Sequence, residues 1–217
     1  MPVSHRHRAL FVHIPKCGGS SVERAFGMHG DHRVEDRERL FGHIASEDLR
    51  EIAGETNYLQ HLDLVQMRRV LAQRASGYLS FTFVRNPYDR LVSAWAGADG
   101  DLHACARAQG IELRGLDFPR FVDATIRLDH PHVAPQLGFI VDSHGERAVD
   151  FVGYFERLGD DFARLCDRLG LAPGERPALP HAHRSRHAHY RELYDTRARV
   201  LVSRRYRADL EAFGYEY

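Results

Sequence analysis

The chain has 217 residues, 43% of them hydrophobic and 28% charged, which is enough for one sizeable α/β domain and cramped for two. Thirty Lys plus Arg balance thirty Asp plus Glu, so no overall field draws the protein to nucleic acid or to an anionic membrane, and a partner is recognised at a local site. The three cysteines are odd in number and far apart, no stretch approaches about 18 apolar residues, and little precedes the first strand-like run, so the expectation is a reducing, cytoplasmic setting without signal peptide or transmembrane segment.

Residues 9–14 (ALFVHI) are a short apolar run with β-branched and aromatic members, the pattern of a buried strand. Gly18 and Gly19 end it, Ser20 or Ser21 is suited to cap a helix reaching about residue 26, and Gly27 stops that helix. Residues 28–75 read as polar and helical, broken near Gly42 and Gly54. Within them His43 and His61 each stand at the mouth of a helix, and Asp63 with Gln66 resembles a capping box. Residues 78–84 (YLSFTFV) carry the strongest strand signal. Arg85 and Asn86 close it, and Pro87 opens a helix running to about Trp95, with Asn86 as its cap. Residues 96–148 read as irregular apart from amphipathic pieces such as 118–126, and acceptor-choosing loops are expected there. A third strand is expected at 149–155, a helix at 158–169, a loop over 171–189 and mostly helix over 190–213. Successive strand–loop–helix units predict a parallel sheet with helices on its faces, a fold whose ligands bind beyond the carboxyl ends of strands. Lys16 and Arg85 both follow such ends.

Of the thirty basic residues, Lys16 is the only lysine. A compact ammonium fits a tight loop and follows one moving oxygen, whereas Arg offers a flat fork. Beside it lie Cys17, Gly18, Gly19, Ser20 and Ser21: glycines that let backbone approach an anion, and hydroxyls that add donors. The order of residues is not that of a Walker A motif, in which Lys follows the last Gly. The second unit begins with Arg85, and Ser93 stands seven residues beyond Asn86 on the same helical face. An Arg with a hydroxyl is a sound receptor for a phosphate monoester.

Together, Pro15-Lys16-Cys17-Gly18-Gly19-Ser20-Ser21 and Val84-Arg85-Asn86-Pro87 through Arg90-Leu91 to Ser93 resemble the sulfotransferases that use 3′-phosphoadenosine 5′-phosphosulfate (PAPS). The closer likeness is to the carbohydrate branch, which includes heparan sulfate 2-O- and chondroitin sulfotransferases and bacterial relatives. The likeness extends to the 149–156 strand, the Leu179-Pro180-His181 loop and the closing Ala212-Phe213-Gly214-Tyr215. It implies an α/β, P-loop-like three-layer sandwich with a central, mostly parallel sheet flanked by helices, residues 1–217 forming a single domain. It also implies that Lys16 meets the bridging oxygen and that the backbone of 18–21 holds the 5′-phosphosulfate. Arg85 and Ser93 would then hold the 3′-phosphate, and Cys17, where such loops often carry Thr, would contribute through its backbone.

Sulfuryl transfer to a hydroxyl needs a base of near-neutral pKa, which is a histidine's task. By the same resemblance His61 is the first candidate and His43 the second; with 15 histidines in the chain, neither stands on residue type alone. The His-rich stretch 181–189 lacks a typical zinc spacing and is read as a loop over the nucleotide, with Arg184, Ser185 or Tyr190 reaching it; no metal is expected. Trp95 is expected in the core. The expected acceptor is a hydroxyl on a glycan or glycoconjugate. Two other readings stay open: a P-loop-type nucleotide or small-molecule kinase, and a non-catalytic nucleotide-binding module.

Overall fold

The computed structural model describes residues 2–54, 56–97, 100–180 and 188–217. It divides into two compact units, each discontinuous in sequence: residues 1–84 with 138–183, and residues 85–137 with 184–217.

The first unit carries the sheet. Strands β1 (Val3–Ser4), β2 (Ala9–Val12), β3 (Leu79–Val84) and β4 (Phe151–Tyr154) lie in the order β1-β2-β3-β4, with β1 antiparallel to β2 and the other two pairings parallel. Parallel neighbours cannot be joined by a hairpin, so long crossovers separate them, and the sheet is flanked by helices. Those of this unit are α1 (Gly19–Ala25), α2 (Glu47–Ala53), α3 (Leu64–Leu71) and α7 (Leu158–Arg168). Register places Phe11 opposite Phe81, and the rings stack with centroids 4.9 Å apart. Phe26 and Phe162 close over the same face of the sheet, Phe26 lying 5.9 Å from Phe81 and 5.2 Å from Phe162. Each such side chain taken from water stabilises the unit by about 1.5–3 kcal/mol.

The expected α/β class with a mostly parallel sheet is the one observed. Several local expectations need correction. Most of 28–75 is loop rather than helix; Glu35 organises it by accepting from the backbone N–H groups of Ala45 and Ser46 at 2.7 and 2.9 Å. The capping box at Asp63 and Gln66 is present in both directions, at 2.8 and 2.9 Å. Strand β1 has only two residues, too few to leave a periodic signal.

The second unit is helical. It contains α4 (Pro87–Ala96), α5 (Gly100–Ala108), α6 (Phe118–Thr125), α8 (Tyr190–Leu193), α9 (Thr196–Arg205) and α10 (Arg207–Phe213). Asn86 caps α4 by accepting from Tyr88 N at 3.0 Å, and Pro87 opens it, as expected. Residues 96–148 are less irregular than expected, because Leu102 and Ala106 of α5 and Phe118, Phe121 and Val122 of α6 join a shared core. Trp95 packs against that core and donates to Leu116 O at 2.9 Å, as a core residue should. Among the described residues no helix is long and apolar enough to cross a membrane.

Candidate functional site

Two segments carry the sequence-derived candidates, one in each unit. In the first unit, the loop after β2 reverses the chain sharply. Lys16 has φ 70° and Gly18 φ 81°, both left-handed. For a lysine that conformation costs roughly 1 kcal/mol, a strain found where a loop must present its backbone in a set direction. Gly18 also supplies the N-cap of α1, with no side-chain bond; its carbonyl accepts from Ser21 N at 3.0 Å. The expectation that Ser20 or Ser21 caps α1 is therefore wrong, since both lie inside its first turn. Cys17 is buried and its thiol donates to Pro15 O at 3.7 Å.

Gly19 is required by its neighbour. A Cβ there would come 2.0 Å from His13 Nε2, so the imidazole lies directly over this α-carbon. His13 ends the β2 run on the face of Phe11, and the two rings stack at 5.4 Å. Its Nδ1–H donates to Glu23 Oε1 at 2.8 Å, and both residues are buried, at 7% and 6% exposure. Burial pushes the Glu23 carboxyl up, but the charge and hydrogen bond of His13, with smaller contributions from the N-terminal charge and then His61, outweigh it and hold the group at about 2.

His61 ends a 3-10 turn (Leu59–His61) just before the capped helix α3. Its ring stands edge-on to His13, centroids 5.1 Å apart. His61, His13, Glu23 and Gly19 are thus gathered in one place within this unit. His43 is held differently: its N–H donates to His32 O at 2.9 Å and its ring stands edge-on to Tyr58 at 5.6 Å.

In the second unit, Arg85 follows β3 directly and is buried, with 4% exposure. Asp89, one helical turn along α4, accepts from Arg85 Nε at 2.8 Å and from an NH2 at 2.7 Å. The backbone of Arg85 is clasped as well: Gln136 Oε1 accepts its N–H at 2.9 Å and Gln136 Nε2 donates to its carbonyl at 2.8 Å. The N–H groups of Gln136 and Leu137 in turn donate to the two oxygens of Asp209, each at 2.8 Å. Asp209 is fully buried; that burial pushes its carboxyl up, opposed by these bonds and by the Arg90 charge. Ser93, on α4, is buried at 6% exposure.

Tyr190 stacks on Tyr88 with centroids 6.2 Å apart and stands edge-on to Tyr217 at 5.7 Å, in an aromatic cluster against α4. Arg184 and Ser185 lie outside the described residues, as does most of the His-rich stretch.

Sequence reasoning missed His13 and Glu23 as site residues, and Asp89, Gln136 and Asp209 as supports. For His13 the signal was present: a polar side chain in phase with Phe11 at the end of an apolar strand, just before the only lysine. Glu23 is the only acid in α1.

Residues 1–216 match the model of the family described as Sulfotransferase family. Among curated proteins, the chain is 25% identical to carbohydrate sulfotransferase 14 of Danio rerio, over 77% of this chain and 47% of the relative. It is 28% identical to carbohydrate sulfotransferase 8 of Mus musculus, over 79% of this chain and 43% of the relative. The chain therefore spans less than half the length of these relatives. No solved structure matches it.

Proposed function

The chain belongs to the sulfotransferase family, and on that premise we propose that it moves a sulfuryl group from PAPS to a hydroxyl of a carbohydrate or glycoconjugate. The observation that carries the reading is the loop after β2: a left-handed Lys16 and a left-handed Gly18 ahead of Gly19, with a buried His–Glu pair beneath and His61 alongside. The carbohydrate acceptor is suggested by the relatives, both named carbohydrate sulfotransferases.

In this reading the acceptor hydroxyl gives its proton to His61 as its oxygen attacks sulfur. The bond from sulfur to the bridging oxygen breaks, and Lys16 stabilises the charge that grows on that oxygen. The departing nucleotide is 3′-phosphoadenosine 5′-phosphate (PAP). Arg85 and Ser93 are the candidates for its 3′-phosphate, Arg85 with its fork pre-set by Asp89 and its backbone pre-set by Gln136. His43 remains the second candidate for the base.

The test is transfer of labelled sulfur from PAPS to a panel of glycans, with wild type, His61→Ala and His43→Ala. The expected result is transfer by wild type, a loss of about 10²–10⁴-fold in His61→Ala, and little change in His43→Ala. Equal turnover by His61→Ala and wild type would remove His61 from the mechanism.

A further inference from the structure

We propose that His13 and Glu23 are a positioning pair for sulfuryl transfer: Glu23 fixes the His13 imidazole, and His13 braces both the donor loop at Gly19 and the base at His61. The proposal rests on the reading of His61 as the base.

Three contacts made by one ring carry it. The Nδ1–H of His13 is committed to Glu23 at 2.8 Å, which fixes the ring plane. Nε2 then points over the Gly19 α-carbon, so closely that a methyl group there would overlap it. The ring edge meets His61 with centroids 5.1 Å apart and planes inclined by 68°. The ring is further sandwiched by Phe11, which stacks on it at 15°. A ring fixed on four sides transmits the position of the donor loop to the base, so that neither shifts without the other.

The pair also has an electrostatic side. When His61 accepts the hydroxyl proton, a positive charge forms close to a buried carboxylate, and Glu23 favours that charged state. His13 at the end of β2 meets the His61 ring, Glu23 on α1 feels its charge, and Asp63, two residues along the chain, has its carboxyl occupied capping α3. Lys16 lies three residues beyond His13 in the loop. Glu23, bonded to the ring that meets His61, is an acid placed to answer a proton arriving there.

Glu23→Gln keeps the volume and an acceptor for the His13 N–H but removes the charge. His13→Asn keeps a donor for Glu23 but removes the ring. In Glu23→Gln, the acid limb of the kcat–pH profile should move to lower pH by about one unit and kcat should fall roughly tenfold, with the donor KM nearly unchanged. In His13→Asn, kcat and PAP affinity should both fall. Independently of turnover, histidine ring-carbon NMR follows His61, identified by the signal lost in His61→Ala. Its titration midpoint should drop in Glu23→Gln. An unmoved midpoint and an unmoved acid limb would overturn the proposal, because a merely structural pair would change stability alone. If wild type transferred no sulfur while the midpoint still moved, the coupling would stand and the assignment of His61 as base would fail.

Discussion

The loop after β2 and the segment after β3 follow the carboxyl ends of two adjacent parallel strands, and they are built in opposite ways. The first is made of backbone. Two left-handed residues set its path, and one histidine ring replaces the side chain that Gly19 lacks. The second is made of side chains. Arg85 is buried and held by Asp89, its backbone by Gln136, and Gln136 by Asp209. A backbone cradle suits an anion that must be approached closely and then released during chemistry. A buried guanidinium suits a phosphate that is only held. The first should therefore fail by shape and the second by lost hydrogen bonds.

The largest effect should come from the moving part of the first segment. Lys16→Ala should lower kcat by about 10²–10³-fold, as does loss of one donor to a developing oxyanion, with PAP affinity changed far less. Single-turnover transfer of labelled sulfur measures the first and calorimetric titration the second. Next comes the buried pair below it. The carboxyl of Glu23 is held at about 2, below its ordinary value of 4.5. A depressed carboxylate contributes stability that is complete above its unfolded value and lost as pH falls through its folded one. Wild type should exceed Glu23→Gln by about 3 kcal/mol near neutral pH, and the gap should close between about pH 4.5 and 2. Urea unfolding at several pH values reads this directly.

Gly19→Ala separates shape from propensity. Within a helix the change should favour folding by about 1 kcal/mol, yet here the new methyl meets the His13 ring. Displacing that ring should reverse the sign, to a loss of about 1–3 kcal/mol by thermal unfolding, with weaker PAP binding. The smallest effect belongs to the second segment. Gln136→Ala leaves the Arg85 N–H without its partner, at a cost of about 1–3 kcal/mol. It should weaken PAP and leave adenosine 5′-monophosphate affinity unchanged. If both nucleotides weakened equally, the assignment of this segment to the 3′-phosphate would be wrong.

What the sequence disclosed follows the range of the interactions. Strands β2, β3 and β4 were legible because buried apolar runs bounded by Gly or Pro are local signals. The caps at Asn86 and Asp63 span two or three residues and were legible for the same reason. The Lys16 loop stood out by composition. The helix α5 was hidden because its buried positions, Leu102 and Ala106, are sparse among Asp, His and Arg. The supports of the second segment were hidden by distance: Gln136 is 51 residues from Arg85, and Asp209 is 73 from Gln136. His13 was visible and was passed over as part of the 9–14 strand run, since its partner Glu23 lies across the loop on another element and its base partner in a third. The mistaken serine cap has a physical cause too, for a left-handed glycine can turn the chain into a helix without any side-chain bond.

The central claim is that the chain receives a nucleotide bearing two separate anions, at the 5′ and 3′ positions. Calorimetric titration of the wild-type protein with PAP, adenosine 5′-monophosphate and ATP with Mg²⁺ tests it most directly. The prediction is that PAP binds at least about tenfold more tightly than the monophosphate, as a buried charge-assisted contact to the extra phosphate requires, and that this preference disappears in Arg85→Ala. Equal affinity for PAP and the monophosphate, or tighter binding of ATP with Mg²⁺, would contradict it.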